Sequence, residues 1–126
     1  MVGTHLPHVV LKGKIEVTQL FSKLEPFLVK NETGILRTTN TFIGRDEKSI
    51  LVESLAIEGP KKTQFFTMIS GRDDGVVVRI YPLVEVEKSY GVKKIIAEIA
   101  TRLLGIFPEL SIGETNLSEF FSEKST

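Results

Sequence analysis

Glu53, Arg79, Tyr81 and Glu85 are the side chains best suited to chemistry, and all fall inside strand-like runs. A carboxylate beside a guanidinium in a pocket can orient a ligand or serve as acid and base. Arg79, Tyr81, Glu85 and Glu87, however, alternate with Val76, Val78, Ile80, Val84 and Val86. That period of two describes a half-buried strand whose polar side chains pair across the sheet and face water. Glu53 differs, because its same-face neighbours are Leu51 and Leu55, and a buried Glu53 needs a partner. His5 and His8 have the spacing of two metal ligands, but no acidic or cysteine ligand lies near them in sequence, and a terminal segment favours surface histidines. Gly59-Pro60-Lys61-Lys62-Thr63 has a phosphate-loop flavour, yet it lacks the spaced glycines and precedes a strand, so it reads as a basic hairpin turn. No nucleophile with its base and no metal set is visible, so an enzyme ranks behind a binding module, and neither cofactor nor metal is expected.

Composition narrows the partners. The 126 residues are 41% hydrophobic, enough for one domain with its own core over residues 1–126. Sixteen basic side chains balance sixteen acidic ones, so no overall field draws the chain to nucleic acid. Lys12, Lys14, Lys61, Lys62, Lys93 and Lys94 are scattered, and a nucleic-acid patch would require them to converge. The absence of cysteine removes disulfides and thiolate sites and gives no sign of an oxidising compartment. Residues 1–8 lack a secretory pattern and no run has the length of a membrane span, so the expected compartment is the cytoplasm, without integral membrane association. Asn31-Glu32-Thr33 and Asn116-Leu117-Ser118 then read as chance matches to a glycosylation pattern. Plentiful charge with little glutamine and no tryptophan is a balance seen in heat-adapted proteins.

These side chains need elements to hold them. Residues 8–15 read as a first strand, followed by a short helix carrying Val17, Leu20, Phe21 and Leu24 on one stripe. Pro26 ends or kinks that helix and leaves Phe27 to Val29 as an apolar continuation. Four β-rich runs follow, over residues 35–43, 49–58, 62–70 and 76–87, separated by turn signals at Gly44-Arg45-Asp46, Gly59-Pro60 and residues 71–75. Connections this short demand antiparallel hairpins, hence a meander. Pro82 cannot donate to a ladder, so the last strand should bulge, bend or run unpaired there. Val92, Ile95, Ile96, Ile99, Leu103 and Phe107 then form the single stripe of a long amphipathic helix ended by Gly105 and Pro108, with Glu98 and Arg102 paired on its surface. Such a helix must dock on the sheet. The expected class is α+β in the order β-α-β-β-β-β-α, with a core over residues 8–107 and a partly anchored tail, 108–126, that frays from about Ser122.

This order resembles the helix-grip fold of the START-like superfamily, which includes lipid-transfer domains and relatives of the birch-pollen allergen. The resemblance is carried by residues 8–24, by Asp74-Gly75-Val76-Val77-Val78-Arg79-Ile80-Tyr81 and by residues 92–104. The sheet looks shorter than is usual in that group, and a tail follows the helix where its members usually stop. The resemblance implies a pocket between sheet and helix for a lipid-like or aromatic molecule.

Phe42, Leu55, Phe66, Met68, Ile80, Ile96, Ile99 and Leu103, with Glu53, are the residues expected to line that pocket. The same periodicity is first of all the signature of an ordinary packed interior. The leading expectation is a module that binds an apolar small molecule without covalent chemistry. The alternatives are a protein-interaction or homodimerising module, using a sheet edge or the apolar tail at Leu117, Phe120 and Phe121, and a START-like hydrolase, lyase or cyclase.

Overall fold

The computed structural model describes residues 6–32 and 34–121. The elements are β1 (His8–Lys12), α1 (Val17–Lys23), β2 (Leu28–Asn31), β3 (Gly34–Ile43), β4 (Ser49–Glu58), β5 (Lys61–Arg72), β6 (Gly75–Ile80), α2 (Tyr90–Ile106), β7 (Ser111–Thr115) and a 3-10 turn, Ser118–Phe120. All seven strands form one antiparallel sheet in the order β2-β3-β4-β5-β6-β1-β7, curled into a half-barrel. Consecutive hairpins build β2 through β6. β1 then enters between β6 and β7, pairing Leu11 with Val76 on one side and with Ile112 on the other.

Local sequence explains the joints. α1 opens with a capping box between Glu16 and Gln19 and stops at Leu24, two residues before Pro26. The β4 to β5 turn uses Gly59, whose φ of 63° suits a two-residue hairpin with Pro60. Gly75 is required for a second reason: a Cβ there would lie 2.0 Å from the Leu11 carbonyl oxygen, so only glycine lets β1 approach β6.

Alternation in β4 and β5 defines two faces. Ile50, Val52, Ala56, Phe65 and Ile69 turn to the inner face, where α2 presents Val92, Ile95, Ile96, Ile99 and Leu103, all buried. Leu51, Glu53, Leu55, Phe66 and Met68 turn to the outer face and stay half-exposed.

Three expectations change. The residues after Pro26 form an edge strand, β2, where an apolar continuation was expected, because Leu28 to Asn31 find the free edge of β3. The long helix is not the last element: β7 follows it, although Ser111-Ile112-Gly113-Glu114-Thr115 has little strand character, because β1 offers it an open edge. The alternation that ran to Glu87 stops being a strand at Ile80, whose successor Tyr81 donates the final backbone hydrogen bond to the Phe66 carbonyl, after which Pro82 opens a turn. β5 therefore extends beyond β6, and residues 81–89 run past that extension to reach α2.

Candidate functional site

The nine residues expected to share one pocket separate onto the two faces of the sheet. Ile80, Ile96, Ile99 and Leu103 are buried in the core. Phe42, Glu53, Leu55, Phe66 and Met68 lie on the outer face, Phe42 half-exposed and edge-on to Phe66 at 6.4 Å. The expected grouping under the helix is thus corrected by strand parity. Both faces of β4 are apolar, and the face that α2 covers is the one carrying Ile50, Val52 and Ala56.

Between sheet and helix the side chains are buried, but the flank is open. A cleft of about 240 Å³ enters between the end of α1, the inner face of β3 and β4, and the C-terminal half of α2. Leu24, Phe27, Val52, Ile99 and Ile106 supply apolar walls, and Thr38 and Thr41 supply hydroxyls. Thr38 is buried, and its Oγ1 accepts the Phe27 N–H at 3.2 Å while its own N–H donates to the Phe27 carbonyl, which locks Phe27 in place. Lys23, Glu25 and Arg102 stand at the mouth. Arg102 is stacked over the Phe27 ring at 4.4 Å and ion-paired with Glu98 at 2.9 Å. Of the expected pocket residues, Ile99 alone lines this cleft.

A larger groove, of about 660 Å³, lies on the outer face. Its floor is Leu55 and Phe66, with Arg37 and Gln64 in the same row as Leu55, and residues Tyr81, Val84 and Val86 form a wall. Glu53 belongs to this groove. A register shift between Thr38 and Thr41 puts an extra residue into β3 and brings Thr39 and Asn40 to the Glu53 side chain. Thr39 Oγ1 donates to Glu53 Oε1 at 3.0 Å and Asn40 Nδ2 donates to the same oxygen at 2.9 Å. The Asn40 and Thr39 side chains together hold the Glu53 carboxyl below the usual carboxylate range. Glu53 therefore has its partners, but at the surface of the sheet.

The remaining candidates take structural positions. Arg79 lies half-buried on the outer face between Met68 and His8, and its Nε has no hydrogen-bond partner among the described residues. His8 Nδ1 is 3.0 Å from the Leu6 carbonyl oxygen, while His5, Thr33 and the tail from Ser122 lie outside the described residues. Lys61 meets Glu87 at 2.6 Å, tying the basic turn to the segment before α2. Leu117 and Phe120, one of the surfaces considered for homodimerisation, are buried in the core. Sequence reasoning missed Phe27, Val52 and Ile106 as walls and Thr39 and Asn40 as donors. The Thr-Thr-Asn-Thr run at 38–41, with an asparagine inside a strand, was the available signal for the bulge.

The fold is α+β, a curled antiparallel half-barrel with two helices, loosely compatible with a helix-grip architecture. Comparison of the chain with protein-family models, curated proteins and solved structures finds no match. No helix among the described residues is long and apolar enough to cross a membrane.

Proposed function

We propose that the protein is a non-enzymatic binding module that takes a compact apolar small molecule into the cleft between sheet and helix. One observation carries this reading: Phe27 from the joint after α1, Val52 from β4, and Ile99 and Ile106 from α2 line an apolar cleft that continues the core out to solvent. Ligand sites are characteristically concave and apolar, with a few polar groups that fix orientation. Thr38, Thr41 and the charged mouth have that character here. The outer groove is larger, but it is wide and polar along one side, so the cleft is the better match to an apolar ligand. Its small volume favours a short or single-ring molecule over a full lipid.

Native mass spectrometry of gently purified protein, followed by solvent extraction, tests this. A stoichiometric apolar adduct is expected, and Ile106→Trp, at an exposed position on the rim, should expel it while leaving the fold intact. Bare protein that also fails to bind added decanoate in calorimetry would sink the reading.

A further inference from the structure

The outer groove carries its own recognition chemistry, independent of the cleft. Glu53 and Leu55 project from the same face of β4 about 7 Å apart, two residues along a strand. Both side-chain donors to Glu53 fall on Oε1, so neither engages Oε2. The carboxylate is thus fixed and charged, with its second oxygen left by those donors at the edge of an apolar floor. Phe66 faces Glu53 directly across the β4 to β5 pairing, and Tyr81 follows in the next strand position. A fixed carboxylate attracts cations and repels anions, and an aromatic ring in the same row adds apolar contact and, where a cation lies over its face, further attraction. In the next row the floor continues at Leu55, near Val84 and Val86, with Arg37 beside it on β3; Arg37 forms no ion pair among the described residues. A guanidinium stacks on an aromatic plane without requiring an acid.

We infer that this groove binds an arylalkylamine, its ammonium on Glu53 and its aromatic end toward Arg37. The polarity follows from the two rows of the sheet that the groove spans: Glu53 with Phe66 and Tyr81 in one, and Leu55 in the next with Arg37 and Gln64 on either side of it. A groove of about 660 Å³ is within the roughly 300 to 1,000 Å³ range of small-molecule sites. An acid of the same shape would meet the Glu53 carboxylate in this pose, and in the reversed pose would meet Arg37, an exposed guanidinium whose surface ion pairs are worth little beside those of a carboxylate fixed by two hydrogen bonds.

The test is calorimetric titration of the full chain with 4-phenylbutylamine and, separately, 4-phenylbutyrate. The amine should bind saturably at one site, and the acid should bind at least about tenfold more weakly. Glu53→Gln retains an oxygen for Thr39 and Asn40 but removes the charge, and should weaken the amine about tenfold or more, the loss of one charge-assisted contact. Val84→Trp fills the groove from an exposed, irregular segment and should abolish binding without disturbing the core. Ile106→Trp, in the cleft, should leave amine binding unchanged, which separates failure of this site from failure of the other. Equal binding of amine and acid, no saturable amine binding, indifference to Glu53→Gln, or loss in Ile106→Trp would each overturn the assignment.

Discussion

Glu53 is a carboxylate whose fold contribution should have a recognisable pH signature. Asn40 and Thr39 donate to its charged form, so its pKa in the folded chain lies below that in the unfolded chain. A group depressed in this direction stabilises the fold above the unfolded pKa, about 4.3 for a glutamate, and loses that contribution as pH falls through the folded value. The unfolding temperature of Glu53→Gln should therefore differ from the parent by a constant amount near neutrality. The gap should shrink only in acid, as pH falls from about 4.3 through the folded value. A gap that widens toward low pH would mean that burial raises the Glu53 pKa and that the hydrogen bonds do not dominate. Singling out Glu53 was possible from Leu51 and Leu55 alone. Its donors were not legible, because a bulge shifts the period of β3 at the two residues that matter. Nor was its direction legible: with Ile50, Val52 and Ala56 on one side and Leu51, Leu55 and Ile57 on the other, hydrophobicity does not distinguish inside from outside.

At the scale of elements, α2 is held at its N-terminus by a residue 33 positions earlier in sequence. Ser89 caps the helix through Val92 N–H, and the end of β4 supplies a second acceptor: Glu58 takes the Ser89 hydroxyl on Oε1 at 2.7 Å and the Gly91 N–H on Oε2 at 2.7 Å. A helix N-terminus leaves N–H groups unpaired and favours negative charge, so Glu58 does both jobs at once. This explains the glycine. A Cβ on Gly91 would lie 2.7 Å from the Glu58 carboxyl carbon, inside contact distance of the cap. Gly91→Ala should consequently destabilise the parent by about 1 to 2 kcal/mol, as the loss of a cap does, despite alanine's higher helix propensity. In a Glu58→Ala background the same substitution should instead be neutral or stabilising by up to about 1 kcal/mol. Chemical denaturation of the four proteins in the cycle checks this, and equal effects in both backgrounds would remove Glu58 as the reason for Gly91. The apolar stripe and the stop before Pro108 were readable from spacing, but Gly105, expected to end the helix, lies inside it, because α2 runs on to Ile106 and is capped at Phe107. The Glu58 contact was not readable, since only the curl of the sheet brings the β4 to β5 turn to the start of α2.

At the scale of the whole molecule, the two ends of the described chain close on one another through β1. Thr115 Oγ1 donates to the His8 carbonyl at 2.7 Å, Asn116 Oδ1 accepts the His8 N–H at 2.9 Å, and Asn116 Nδ2 donates to the Leu6 carbonyl at 2.9 Å. Beyond β7, Leu117 and Phe120 enter the core, Phe120 against Tyr90 at a centroid distance of 5.4 Å and beneath the Lys94 ammonium. These contacts bear on where the folded unit ends. The elements that sequence periodicity makes strongest stop at Phe107, so a chain cut there would keep every long strand and both helices. It would nevertheless expose one edge of β1 and lose Leu110, Leu117 and Phe120 from the interior. Three such side chains are worth roughly 5 to 9 kcal/mol at about 1.5 to 3 kcal/mol each, comparable with the roughly 5 to 15 kcal/mol that separates a typical folded domain from its unfolded chain. Deleting residues 108–126 should therefore abolish the cooperative thermal transition seen by circular dichroism. A stable 1–107 fragment would show instead that β7 is an appendage, and that β1 tolerates an open edge in the half-barrel as β2 does at the other end.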